Sequence, residues 1–175
     1  MSVQRLVPSH ATAYRALMLK AYADHPDAFT SSVADRAALP LAWWAARLEP
    51  AADAGECVFG WVEGGHILGV AGLSFETREK TRHKATLFGM VVGEQARGRG
   101  LGRQLVQAVL AHARARPGLR VLQLTVTEGN QAAIALYQGC GFEAYGTEPL
   151  AVRVGDGFVA KVHMWCDLAK NAPAP

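Results

Sequence analysis

The chain has 175 residues, of which 50% are hydrophobic and 19% charged, with a formal net charge of +3. This balance excludes disorder, a collagen-like fibre and a disulfide scaffold, and no run of about 18 apolar residues is present to span a bilayer. One domain over residues 1–170 is expected, with a flexible tail at 171–175, and the polar start of the chain points to a cytoplasmic protein. Cys57, Cys140 and Cys166 form no C-x-x-C pair and read as small apolar fillers. The histidines are scattered and make no metal pattern, so no metal is expected.

Val3 to Val7 reads as a short strand, and Pro8-Ser9 opens a helix with Ser9 as its N-cap. Tyr14, Leu17, Met18, Ala21 and Tyr22 form one apolar helical face. Asp24 to Leu39 has weak periodicity and reads as a loop with a short helical turn; Pro40 then starts a helix through Leu48. Cys57 to Glu63 and His66 to Thr77 are strands joined by Gly64-Gly65, a two-residue hairpin signal. Arg78 to Arg82 is a charged turn, and Ala85 to Val92 is apolar on both faces, as a central strand should be. A helix follows from Leu101, with Leu105, Val109 and Ala113 recurring every fourth residue. Val121 to Thr127 is a strand, Asn130 caps a short helix over Ala132 to Gln138, and Gly139 and Gly141 are left-handed C-cap candidates. Phe142 to Val154, bent near Pro149, and Phe158 to Leu168 close the chain as strands; in the second, Lys161, His163, Trp165 and Asp167 face away from the apolar side. The order predicts an α/β protein with a mixed sheet and helices on both faces.

The most informative stretch is Gly93 to Arg103, where a strand runs through a glycine- and arginine-rich loop into a helix. First-turn N–H groups have no partner inside a helix, and the helix dipole points its positive end at the loop. Gly98, Gly100 and Gly102 keep side chains out of the way of a phosphate, and Arg97, Arg99 and Arg103 add charge suited to a pyrophosphate. No Gly-Lys pair completes a phosphate-loop NTPase motif, and Arg stands where G-x-G-x-x-G needs its third glycine. A glycine-rich turn with a solvated arginine face is the plain alternative.

A second constellation, Asn130-Gln131-Ala132-Ala133-Ile134-Ala135-Leu136-Tyr137-Gln138-Gly139-Cys140-Gly141-Phe142, follows the next strand. With R-x-x-G-x-G at Arg97, Gly100 and Gly102, it resembles the GNAT superfamily of N-acetyltransferases, specifically from about Ala85 to Tyr145. That resemblance implies a six- to seven-stranded mixed sheet with about four helices, and acetyl-CoA bound where two parallel strands splay. It implies cofactor contacts from Met90, Val91, Val92, Arg97, Gly98, Arg99, Gly100, Leu101, Gly102, Arg103, Asn130 and Tyr137. The Met90 and Val92 contacts would come from their backbone, a bulge there freeing a donor for the thioester oxygen. Such an oxyanion donor contributes about 2.7–4 kcal/mol in comparable acyl transfers. Tyr137 is implied as the acid that protonates the departing thiolate.

The base is open. Histone-type members carry a glutamate where Thr86 stands, so His83, Glu76 and Glu128 are candidates, directly or through water. Phe29, Trp43 and Trp44 are candidate acceptor contacts, with His25 beside them; Trp43 and Trp44 are adjacent and cannot both face the core. Related members carry acidic residues near Lys161, so specificity has changed if that position touches the acceptor. The expected activity is direct acetyl transfer to a small-molecule or peptide amine. The alternative is an acyl-CoA sensor without turnover. A nucleic-acid binder is the weakest reading, because three loop arginines lack an interleaved aromatic surface. No membrane partner is expected, and homodimers are common in the superfamily.

Overall fold

The computed structural model describes residues 2–170; the expected tail at 171–175 lies outside them. Seven strands form one sheet: β1 (Ser2–Arg5), β2 (Glu56–Glu63), β3 (His66–Phe75), β4 (Lys84–Val92), β5 (Val121–Thr127), β6 (Glu143–Val154) and β7 (Gly157–Asp167). Their spatial order is β1-β2-β3-β4-β5-β7-β6, and every neighbouring pair is antiparallel except β4–β5. The helices are α1 (Ala11–Asp24), α2 (Val33–Ala37), α3 (Leu41–Ala46), α4 (Leu101–Ala115) and α5 (Gln131–Gln138).

Each face of the sheet has its own core. Leu105, Val106, Val109, Leu110 and Ala113 of α4 pack on Leu73, Leu87, Leu122 and Met164. The i, i+4 spacing puts them on one side of the helix and leaves Arg103, Gln104 and Gln107 in solvent. On the opposite face Tyr14 and Met18 of α1 meet Trp44, Leu48, Val58 and Val70. Tyr14 and Trp44 meet edge to face at 5.5 Å.

Several expectations shift by local geometry. Ser9 sits inside a 3₁₀ turn over Pro8–His10 rather than capping α1, and the His10 ring accepts the Val7 amide instead, at 3.1 Å. Gly64 and Gly65 take φ of 57° and 81°, the pair of left-handed residues a two-residue hairpin turn requires. Gly141 is left-handed at φ 93°, but Gly139 is right-handed at φ −66°, so only one of the two carries the reversal. In β6 the register slips between Glu148 and Val152, around a left-handed Leu150, which is the expected bend near Pro149. In β7, Lys161 lies on the polar side as the alternation requires, yet it is buried.

Two irregularities of β4 shape the centre of the molecule. It pairs with β5 only over Lys84–Thr86, so past Thr86 the two parallel strands part and leave an edge of β4 open. On its other side, Val91 pairs with Val70 and Phe88 with Gly72, leaving Gly89 and Met90 without register partners. Gly89 is left-handed at φ 59°, which permits this bulge.

Candidate active site

A cleft of about 1470 Å³ runs through the gap between β4 and β5. At one end it is walled by the loop from Arg97 to Arg103 and by Asn130, in the middle by Met90 to Val92 and Tyr137. At the other end it reaches Tyr14, Tyr22, Arg36, Arg47 and Glu56 beneath α1, α2 and α3.

The loop end is built for an anion. Among the described residues, the amides from Gly98 to Arg103 donate to no backbone or side-chain acceptor. They sit at the N-terminus of a fifteen-residue helix, where the dipole favours negative charge. The three glycines do different work. Gly98 and Gly100 are left-handed at φ 74° and 77°, and a Cβ on either would meet nothing within 4 Å, so conformation selects glycine there. A Cβ on Gly102 would come within 3.2 Å of Leu136 and 3.3 Å of Met90, so that glycine lets α4 approach α5 and β4 rather than clearing space for a ligand.

The arginines also divide. Arg97 donates from Nε to the Val92 carbonyl at 3.3 Å and places its terminal nitrogen 2.8 Å from His25 Nε2. Arg103 reaches the Gly139 carbonyl at 3.2 Å. Both line the cleft. Arg99 does not: it pairs with Glu63 at 2.7 Å, and that bond, with help from the Trp61 indole, holds the Glu63 carboxyl below its ordinary range.

Tyr137 follows Asn130 by two turns of α5, whose first turn is capped by Asn130 Oδ1 accepting the Ala133 amide at 3.2 Å. The phenol is 6% exposed, lies edge to face with Phe142 at 5.8 Å, and forms part of the cleft wall. Burial pushes its pKa well above the usual tyrosine value, with Cys140 adding slightly, so it stays a proton donor throughout the accessible pH range. Cys140 is half-buried and its thiol is likewise pushed up by burial, which keeps it protonated.

Of the three base candidates, only Glu128 stands on the wall. Glu76 and His83 are paired with the closed end of the β4–β5 junction: the Glu76 amide bonds to Lys84, and the His83 carbonyl accepts from Arg120 and Val121. Of the acceptor candidates, Phe29 lines the cleft and meets Tyr22 edge to face at 5.1 Å. Trp44 is fully buried in the core, and Trp43 lies beside it under two guanidinium groups, so neither forms the wall.

Sequence reasoning missed Glu56, Arg36 and Arg47. Glu56 stands one residue before the expected start of its strand, and only the register shows it in line with Ser74 and Thr86. It also left Lys161 unresolved. The ammonium of Lys161 donates to Thr127 Oγ1 at 2.7 Å and to the carbonyls of Ala28 at 3.0 Å and Asp27 at 3.3 Å, while Thr127 Oγ1 donates to Asp27 at 2.6 Å. These bonds strap the segment after α1 to β5 and β7 across the cleft. Burial lowers the pKa of Lys161, and Asp27 partly offsets it. Among the described residues no group of three or more His, Cys, Asp and Glu side chains is placed to hold a metal.

A mixed α/β sheet whose two parallel strands part beside a loop of free amides offers a cleft open to an extended anionic ligand. The chain belongs to the acetyltransferase (GNAT) family, whose model matches residues 18–142. It is 35% identical over 130 residues to a mycothiol acetyltransferase of Salinispora arenicola, covering 74% of this chain and 40% of that protein. It is 42% identical over 77 residues to an L-methionine sulfoximine/L-methionine sulfone acetyltransferase of Pseudomonas aeruginosa, covering 44% of this chain and 40% of the relative. The chain thus spans about 40% of the length of these curated relatives. Among solved structures, an acetyltransferase of the family from Streptococcus pneumoniae superposes with a TM-score of 0.84 at 27% identity, covering 93% of this chain and 96% of the other.

Proposed function

We propose that this chain is an N-acetyltransferase that moves the acetyl group of acetyl-CoA directly to a primary amine in a ternary complex. The observation that carries the reading is the continuity of the cleft from the amide cradle, past Tyr137, to a polar chamber under α1 to α3. The family membership and the acetyltransferase relatives support it. The amides from Gly98 to Arg103, with Arg97 and Arg103, fit the pyrophosphate of CoA, and the splayed edge of β4 fits an extended pantetheine arm. Acetyl-CoA supplies an activated thioester.

The backbone released by the Gly89–Met90 bulge polarises the thioester oxygen. The neutral amine attacks the carbonyl carbon, the carbon–sulfur bond breaks as the Tyr137 hydroxyl donates to the departing sulfur, and the proton lost by the acylated nitrogen returns to the phenol through water. The same desolvation that raises the phenol's pKa raises that of a thiolate in the cleft, so the two stay matched. An alkylammonium must first lose its proton. It does so to water held against Glu128 or Glu56, two of the carboxylate residues on the wall.

The amine is that of a small molecule or peptide. Tyr145, Leu150 and Phe158, exposed on the β6–β7 hairpin, support pairing of two copies, and sedimentation velocity tests it. The activity is tested by thiol release from acetyl-CoA across a panel of amines. Turnover on one class supports the proposal; acetyl-CoA binding with no turnover on any amine points to a sensor instead.

A further inference from the structure

The inner chamber of the cleft carries a charge that the transfer chemistry does not use. Arg47 lies 4.5 Å from the centroid of Trp43 and 4.7 Å from that of Phe88, and its Nε stands 2.8 Å from Glu56 Oε2. Its charge is therefore matched. Arg36 lies over the same Trp43 ring at 4.7 Å and donates from Nε to Ser31 Oγ at 3.0 Å. Among the described residues it has no carboxylate partner. Its neighbour Asp35 is engaged by the amide and hydroxyl of Ser32, at 2.9 Å and 2.8 Å.

Tyr14 and Tyr22 line the same chamber, and among the described residues neither hydroxyl makes a hydrogen bond. The Tyr14 side chain is 2% exposed and lines the cleft, where its hydroxyl is free to donate to a ligand. A guanidinium pre-set by stacking, beside two phenol donors, matches the planar pair of oxygens of a carboxylate.

We propose that Arg36, with Tyr14 and Tyr22, binds a carboxylate, and that the acceptor is therefore an amino acid acetylated on its amine. This rests on the acetyltransferase reading. The test is thiol release from acetyl-CoA with the common L-amino acids, each paired with its α-carboxamide, and with spermidine as an amine lacking a carboxylate. The best acid is expected to exceed its carboxamide about 10- to 100-fold in kcat/KM, the worth of a hydrogen bond to a charged group. In Arg36→Gln the ratio should fall to within about threefold, with partial rescue in Arg36→Lys, because a point charge replaces a fork. Acetyl-CoA affinity, read by calorimetry, should not change in either variant.

Equal rates on acid and carboxamide would overturn the proposal. So would turnover confined to spermidine, the full ratio retained in Arg36→Gln with an unchanged melting curve, or no turnover on any of these amines. Failure of the native protein to bind acetyl-CoA is a separate result, and it removes the acetyltransferase reading itself.

Discussion

In the proposed transfer Tyr137 is the side chain on which the chemistry turns, a phenol in the cleft wall that is 6% exposed and held against Phe142. Tyr137→Phe should lower kcat by about 100-fold, within the usual range for a positioned proton donor, and leave acetyl-CoA affinity within about twofold. The pH profile follows from the sign of the shift. Burial raises the pKa, so the proton is present below the raised value and is lost only above it. The native kcat profile should therefore show no falling limb from this group below about pH 10, where an ordinary tyrosine would titrate. A limb near that pH that vanishes in Tyr137→Phe would contradict the raised pKa, and an unchanged kcat in that variant would contradict the role as proton donor. Glycine makes a parallel case. Gly100→Ala strains a left-handed position without a clash, whereas Gly102→Ala must push Leu136 and Met90 apart. Their spacing in the sequence showed that these glycines belong together but not that they act differently, because φ and the distance to the next helix are tertiary properties.

Among the elements, the segment after α1 has the least internal structure and the most consequence. It forms one wall of the proposed acceptor end, and Lys161 and Thr127 hold it there through the carbonyls of Asp27 and Ala28. Lys161→Met keeps the aliphatic stem and removes the donors. The unmet carbonyls should cost about 1–3 kcal/mol of stability, seen as a lower melting temperature. The acceptor KM should rise about tenfold while acetyl-CoA affinity holds, because the Lys161 bonds fall on Asp27 and Ala28 and not on His25, which meets Arg97. A rise in the acetyl-CoA Kd instead would show that the segment shapes the cofactor end. The strands and long helices were legible in the sequence because periodicity reports burial: Val121 to Thr127 matches to the residue, and α4 begins at Leu101 as expected. Lys161 was not. Alternation placed it on the correct face of β7, but only the segment folded over that face makes it buried.

At the scale of the molecule, the site exists because one parallel junction sits inside an otherwise antiparallel sheet. β4 and β5 share only three register pairs before parting, and the gap becomes the cleft. The cradle and the tyrosine come from motifs on the two helices that follow these strands, so the cofactor half could be read from sequence. The acceptor half could not. Arg36, Arg47, Glu56 and Thr86 come from four separate elements and meet only through the packing of α2 and α3 on the sheet. The measurement that bears most directly on the whole is calorimetric titration of the protein with acetyl-CoA, beside a Gly100→Glu variant. Gly100 is left-handed at the mouth of the cradle, and a carboxylate there opposes a pyrophosphate. One acetyl-CoA should bind per chain, with an affinity that weakens as salt is raised, and Gly100→Glu should lower it at least about 100-fold while the protein stays folded. No binding to the native chain, or equal affinity in the folded variant, would contradict the placement of the cofactor.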